Sequence, residues 1–578
     1  MSKNRTLIFT VFFLFSCGGG GGGGSETTPT VSAAPTPPPQ PATPTFEELK
    51  RDFEGYYEYR NHWGLKSINS STAHARGATG SGVTIGITDS GLDVTHIEID
   101  SARISSDSDL EYSDYKPNTR QKRHGTMVTS IAAGGLDKIA RSPMHGVAFD
   151  ANVLFIAVQL AEPDEDYDPV DLGDTDSSGD VTNAPDIAEQ FSGIDSFFSS
   201  LFEIYNFYDV DIVNNSYGFS GNIIDYTESQ VRNAFPKTIA EMSQIGTPDE
   251  NKTIYVWAAG NAGGYADQGV DYSSPELLAG MAHFIEEIQG HSIAVVSIDE
   301  DGQISDFSSR CGVSKNYCIA APGGSVNVAY PTSASDPGIY TNDKTDPDYN
   351  DCIEDNSCYA GAGGTSFAAP FVTGGLAVMA EYFEGQLGSN ELVARLFATA
   401  DKEGIYANQD VYGQGVMDLA AATAPVGQTS AMMGKDLTGL MVPAAFTSIQ
   451  LTNPSFGDSI LRGIDGETMI FFDELQAPFR RPLSGFISDY RNQIMNLNGY
   501  DEMDNYNTKT SITEDSFFQV GLSAPSNPSN ELVTPSHLLG VKSINNEYFA
   551  YFNKQKNTFM SHGINAGWAL GIFQDELL

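Results

Sequence analysis

The segment Val83-Thr84-Ile85-Gly86-Ile87-Thr88 alternates apolar residues with small or polar ones and stops on Asp89. That pattern reads as a buried strand with a carboxylate at its C-terminal end. Four more runs read as strands: Val153 to Val158, Ile212-Val213-Asn214, Ile254 to Ala258, and Ile293 to Ile298. Helix-like stretches lie between them, among them Met127 to Ala133, Ile187 to Tyr205, Val231 to Ile245 and Pro275 to Ile288. Strand and helix in repeated alternation predict an α/β fold, a parallel β-sheet flanked by helices on both faces. Ligands of such sheets bind beyond the carboxyl ends of the strands, which is where Asp89 falls.

Three further segments carry groups that belong with that carboxylate. His124 stands before Gly125-Thr126-Met127-Val128, a helix start. Asn261 follows the strand Tyr255-Val256-Trp257 and the bend at Gly260. Ser366 stands where Gly363 and Gly364 give way to a helical run, Phe367 through Tyr382, with Pro370 placed in its first turn. A serine hydroxyl is a weak nucleophile at neutral pH. It needs a base to take its proton, and the base needs a carboxylate to hold its tautomer. A serine at a helix start is exposed and keeps a free backbone N–H. Asn261 is a side-chain donor for the negative charge that builds on a carbonyl oxygen under attack. Asp89, His124, Asn261 and Ser366 therefore predict acyl transfer, with Asp93 as second choice for the acid. His96 reads as a structural residue beside the site, and His145 as the opening of a strand over Gly146-Val147-Ala148.

These segments resemble those of the subtilisin-like serine peptidases, family S8. Ile87 to Gly91 is similar to the family's Asp motif, His124 to Ala133 to its His motif, and Gly364 to Gly374 to its Ser motif. Asn214 to Gly218 resembles the substrate-aligning strand, which gives Asn215, Ser216, Tyr217 and Gly218 as substrate-binding residues. Ile293 to Ser309 resembles a segment lining one side of the pocket for the residue before the scissile bond. Gly413 to Asp418 resembles the closing motif. In detail the chain looks closest to surface-exported subtilases of Gram-negative bacteria, autotransporter types included. The resemblance implies a serine endopeptidase acting on proteins or peptides through an acyl-enzyme, with no cofactor required. The rival from another class is an inactive surface adhesin or scaffold on the same fold. A sedolisin-type acid peptidase would carry a Glu where His124 stands.

The remainder of the chain addresses location. Lys3 and Arg5 precede an apolar run, Leu7 to Phe15, too short to span a bilayer as a helix. Leu14-Phe15-Ser16-Cys17 resembles a bacterial lipobox and makes Cys17 the candidate lipidation site. A glycine run, Gly18 to Gly24, and a proline-rich stretch to Pro44 form a tether of flexible then stiff chain. Removing Cys17 leaves four cysteines in an exported chain, and the short loops favour Cys311–Cys318 and Cys352–Cys358. The expected organisation is a signal peptide over 1–17, a tether over 18–45, a peptidase domain over 46–425 and a β-rich accessory region over 426–578, autotransporter-related or not. The strands expected there are Phe517 to Leu522, Leu538 to Ile544, Tyr548 to Phe552 and Gly567 to Phe573. Residues 430–510 show no alternation. The localisation implied is the bacterial outer membrane or cell surface, reached through a lipid anchor.

Charge sets limits on partners. With 75 acidic and 31 basic residues the formal net charge is −44, a surface that repels nucleic acid. Residues 161–180 hold nine carboxylates and no base. This run reads as a solvated loop, and Asp174, Asp176 and Asp180 within it allow a calcium site without the full EF-hand pattern.

Overall fold

A computed structural model describes residues 44–111, 119–136, 142–158, 192–219, 221–341 and 351–433, and beyond them 440–443, 448–450, 468–482, 487–488, 507–513, 516–523, 536–543, 547–553 and 567–573. Cys17, the tether up to residue 43 and the acidic run 161–180 lie outside the described residues. The chain divides into two compact units, Met1–Thr45 and Phe46–Leu578, and the described helices and strands all belong to the second.

Six parallel strands form the central sheet. They are β1 (Thr84–Asp89), β2 (Asn152–Ala157), β3 (Ile212–Asn215), β4 (Ile254–Ala258), β5 (Ser292–Ile298) and β6 (Cys318–Pro322), in the order β2-β1-β3-β4-β5-β6. A separate antiparallel pair is formed by β7 (Val326–Ala329) and β8 (Tyr359–Ala362), the latter leading into Ser366. The strands of the central sheet are buried on both faces, and alternate residues serve different cores. Ile254, Val256 and Ala258 of β4 enter one apolar cluster; Tyr255 and Trp257 enter the other. Complete burial of such side chains contributes roughly 1.5–3 kcal/mol each, so both faces must be covered by helices.

Helix α1 (Thr119–Ala133) and helix α3 (Thr365–Tyr382) lie on the first face, where Val128, Ile131, Phe371 and Leu376 join Ile85 and Ile87. Helix α2 (Ser192–Phe207) covers the other with Phe198, Phe202 and Tyr205. Gly86 allows this approach, since a Cβ there would lie 2.7 Å from the Tyr205 ring.

Register brings the chemistry together. Thr88 pairs with Asn215, and Asn215 with Trp257. The residues one step further along, Asp89, Ser216 and Ala258, therefore leave the sheet level with one another at the carboxyl edge.

Several local expectations change. Helix α1 begins at Thr119, so His124 sits inside a helix rather than ahead of one. Val231 to Ile245 is two helices, Glu228–Ala234 and Pro236–Ser243, parted at Phe235 where Pro236 cannot continue the first. Gly146-Val147-Ala148 is no strand. It is a turn whose Val147 and Ala148 N–H groups donate to the carbonyls of Ile131 and Ala132 at 2.8 and 2.9 Å, finishing α1. Pro275 to Ile288 breaks into short turns, Leu277–Gly280, Met281–His283 and Glu286–Ile288.

Beyond residue 425 the described segments are strands. β9 (Ser430–Met433), β10 (Leu440–Pro443), β12 (Thr468–Phe472) and β13 (Pro478–Pro482) form a four-stranded sheet. β11 (Ser448–Gln450) and β14 (Ile487–Ser488) join β15 (Asn507–Thr513), β16 (Ser516–Ser523), β17 (Ser536–Ser543), β18 (Glu547–Asn553) and β19 (Gly567–Phe573) in a seven-stranded sheet, ordered β14-β11-β19-β18-β17-β16-β15. Strands thus occur within 430–510 despite the lack of alternation. The position 425/426 is not a gap in the packing. Ala477 and Phe479 of the β12–β13 hairpin join the core on the α3 face, and Asp473 forms a 2.7 Å ion pair with Arg395, both side chains buried. No helix among the described residues is long and apolar enough to cross a membrane.

Candidate active site

Asp89 ends β1 with no exposed surface. Its Oδ1 accepts the Ser90 N–H at 2.7 Å and lies 2.8 Å from His124 Nδ1; Oδ2 lies 3.0 Å from the same nitrogen. The close approach of α1 depends on Gly125. A Cβ there would stand 2.2 Å from the Gly91 carbonyl and 3.1 Å from Asp89 Cβ, so only glycine lets this turn of the helix meet the strand end. Burial alone would lower the His124 pKa. The charge of Asp89 and the hydrogen bond to it outweigh that effect and hold it above the usual value. Asp93 is turned elsewhere: its Oδ1 takes the Thr95 N–H and hydroxyl, and its Oδ2 takes Asn356 Nδ2.

Ser366 is the second residue of α3 and is half-buried. Its Oγ donates to the Ser216 carbonyl at 3.1 Å, and no hydrogen bond joins it to His124. The backbone of Ser366 is tied to the same residue, because Ser216 Oγ donates to the Ser366 carbonyl at 2.7 Å. Pro370 explains why that carbonyl is available. Proline lies in the second turn, not the first, and has no N–H to give the residue four positions back. Asn214 Nδ2 donates to Ser216 Oγ at 2.8 Å, and Thr373 Oγ1 donates to Asn214 Oδ1 at 3.1 Å. A buried polar chain thus clamps the start of α3 to the end of β3.

Asn261 is exposed beyond β4. Its Oδ1 accepts from Thr365 N at 2.9 Å and Thr365 Oγ1 at 3.1 Å, and Thr365 Oγ1 in turn accepts the Gly260 N–H at 3.1 Å. With the acceptor end of the amide fixed, the Nδ2 end is the part left to face a ligand.

The segment Asn215–Gly218 continues from β3. Tyr217 OH donates to Asn215 Oδ1 at 2.8 Å, and the Tyr217 ring stacks on Phe198 with centroids 5.9 Å apart, so its bulk is turned into the α2 core. Gly218 is exposed at the rim.

Disulfides join Cys311 to Cys318, Cα atoms 5.7 Å apart, and Cys352 to Cys358, 4.9 Å apart. The second closes a loop that leans on the segment after Asp89: His96 Nε2 meets the Cys358 carbonyl at 2.9 Å, and Asn356 reaches Asp93. His96 is buried, and its Nδ1 takes the Glu98 N–H at 3.1 Å. Among the described residues no group of three or more His, Cys, Asp or Glu stands ready to hold a metal.

The geometry uses four residues to which the sequence reading assigned no role. Thr365 and Thr373, inside the Ser motif, and Asn214, at the head of the substrate-aligning segment, hold Asn261 and Ser366 in place. The fourth is Glu276, against Gly218 and Gly260, where a Cβ would stand 2.5 and 2.2 Å from its carboxyl oxygens. Burial pushes its pKa up to about 8, opposed by the Asn261 N–H that its carboxyl accepts.

Comparison with known proteins bears on the same region. Residues 80–415 match the family model of the subtilases. An extracellular serine protease of Serratia marcescens is 27% identical over 374 residues, 63% of this chain and 34% of that protein. The chain therefore spans about a third of that relative's length. Serotype-specific antigen 1 of Mannheimia haemolytica is 31% identical over 172 residues, 30% of this chain and 16% of that protein. Among solved structures, MycP1 from the ESX-1 type VII secretion system is 18% identical with a TM-score of 0.43, covering 64% of this chain and 87% of that one. MycP1 from Mycobacterium smegmatis gives 18% and 0.42 over 63% of this chain and 85% of that one.

Proposed function

Since the chain belongs to the subtilase family of serine peptidases, we propose that it is an endopeptidase in which Asp89, His124 and Ser366 form the catalytic triad. The observation that carries this is the buried Asp89 carboxylate held 2.8 Å from His124 Nδ1 at the strand edge where Ser366 opens its helix. A rotation about the Ser366 Cα–Cβ bond moves Oγ from the Ser216 carbonyl to His124 Nε2. Oγ then attacks the scissile carbonyl carbon while its proton passes to Nε2. The carbonyl π pair becomes an oxyanion, met by Asn261 Nδ2 and the Ser366 N–H. Collapse breaks the C–N bond, the imidazolium gives its proton to the leaving amine, and water repeats the sequence on the acyl-enzyme. The Ser216 carbonyl, released by the rotation, is left to accept a backbone N–H of the substrate. No step uses a cofactor.

Protein or peptide substrates follow from the family. Export, with Cys17 as lipid anchor, residues 18–45 as tether and 426–578 as an accessory region, is part of the same reading. The N-terminal residues and the names of the curated relatives support it. The Ser366→Ala protein is expected to lose hydrolysis of a denatured protein and labelling by a fluorophosphonate. Retained hydrolysis refutes the triad, and an unlabelled but folded native chain would favour the adhesin reading.

A further inference from the structure

The proposed chemistry leaves a half-buried acid beside Asn261 without a task. Glu276 stands at the start of the short helix Leu277–Gly280, with its N–H on the Ala259 carbonyl at 2.9 Å. Its two carboxyl oxygens face two different glycines. A Cβ at Gly260 would lie 2.2 Å from Oε1, and one at Gly218 would lie 2.5 Å from Oε2. The carboxyl therefore lies between the segment leaving β3 and the segment leaving β4, and both are glycine where they touch it.

Those two segments also bracket the reacting carbonyl. Gly260 precedes Asn261, and Gly218 lies two residues beyond Ser216, whose carbonyl touches Ser366 Oγ. A third wall closes the gap, because Ser309 N donates to the Gly260 carbonyl at 2.9 Å. A substrate carbonyl placed between Ser366 Oγ and Asn261 Nδ2 would direct the side chain of its own residue towards this gap. Without side chains on Gly218 and Gly260, the group presented between the two segments is the Glu276 carboxyl.

We propose that Glu276 forms the floor of this gap and selects a cationic side chain, arginine or lysine, on the residue before the scissile bond. The inference rests on the triad reading, since the triad fixes where the carbonyl sits. The carboxyl of the floor has no protein counterion, so before substrate enters it is mostly protonated at neutral pH, and an arriving cation displaces that proton to solvent. The pKa of the carboxyl is raised by burial and opposed only by the Asn261 N–H, with no cation acting on it. The cation on the neighbouring wall, Arg310, is committed to the Ser308 and Ser305 carbonyls and lies over the Tyr272 ring. An entering guanidinium or ammonium would supply the missing partner, and a charge-assisted hydrogen bond away from water is strong. The net charge of −44 favours encounter with the same substrates.

The test uses paired peptides that differ only in carrying Arg or Leu before the scissile bond. The unmodified protein is expected to favour Arg in kcat/KM, with active molecules counted by fluorophosphonate titration. Glu276→Gln keeps an acceptor for the Asn261 N–H but cannot become a carboxylate when a cation enters. It is expected to lower the Arg/Leu ratio by about 10-fold at pH 7, the worth of a hydrogen bond to a charged group less the cost of ionising an acid of raised pKa. A preference for Leu in the unmodified protein, or an equal loss on both peptides in the variant, overturns the proposal and leaves Glu276 as a support of the Asn261 loop. Binding of the two peptides to the Ser366→Ala protein separates this from the triad. Arg-selective binding beside an unmodified protein that does not turn over sinks the triad and upholds the pocket. Turnover without Arg selectivity sinks the pocket alone.

Discussion

Lowering the pH from 7 to 5 should destabilise the fold through three histidines that no step of catalysis uses. His62, His74 and His145 are buried, and their pKa values fall to about 3, 3 and 4, through burial first. Each ring has one nitrogen on a backbone carbonyl: Asn327 at 3.1 Å for His62, Val147 at 2.9 Å for His74, and Gly146 at 2.7 Å for His145. The other nitrogen of each has no partner, so an added proton would make a buried donor with no acceptor. The folded state therefore refuses protons that the unfolded chain accepts near pH 6.5. Stability is full above that value and is lost as pH falls towards 4 and 3. Between pH 7 and 5 each histidine costs about 2 kcal/mol, or roughly 6 kcal/mol for the three. Mutual repulsion among the rings does not enter, because all three stay neutral in the folded state over this window. Glu276 acts with the opposite sign. Its raised pKa makes the folded state take up a proton before the unfolded one does, worth about 2.5 kcal/mol over the same window. His124 adds in that same direction, and His96 and His291, both lowered by burial, add to the loss. The three histidines and Glu276 together leave a net loss of about 3 kcal/mol. Urea midpoints of the Ser366→Ala protein, chosen to prevent self-digestion, would be followed in steps from pH 7 to 4.5. His74→Gln keeps a donor for the Val147 carbonyl and is expected to flatten the slope by one proton, about 1.4 kcal/mol per pH unit. An unchanged slope in that variant would refute the assignment of a neutral His74.

The site and its support give two further expected outcomes. In the unmodified protein kcat/KM should rise with pH through an inflection above the usual histidine value, because only neutral His124 can take the Ser366 proton. Asp89→Asn leaves burial unopposed, so it should move that inflection down and cost about four orders of magnitude in kcat, read from a pH–rate profile. Arg395→Ala leaves Asp473 buried without its cation and should cost about 3–5 kcal/mol, measured as a fall in denaturation midpoint; the double change Arg395→Met, Asp473→Asn should recover part of it.

The parts of the site that follow from local chemistry could be read in the chain. A strand that ends on Asp89 and a serine at a glycine-led helix start are short-range patterns, and the parallel sheet followed from strand–helix alternation. The start of α1 was hidden because Thr119-Arg120-Gln121-Lys122-Arg123 offers no apolar periodicity to extend the helix back from Met127. Short strands beyond residue 425 lacked alternation for a related reason: β11 and β14 hold three and two residues, too few to show a period. Glu276 was invisible because nothing in Ser274-Pro275-Glu276-Leu277 says that two glycines from distant strands will face its carboxyl. Pro370 shows where sequence reading stops. Local rules accept it near a helix start, yet its position in the second turn leaves the Ser366 carbonyl without a helical partner. What makes that defect useful is Ser216, 150 residues earlier, whose hydroxyl fills the vacancy and fixes the backbone of the proposed nucleophile against β3. The missing hydrogen bond lets the helix end be held from outside at the residue whose position matters most, and the partner that holds it belongs to the segment proposed to align the substrate.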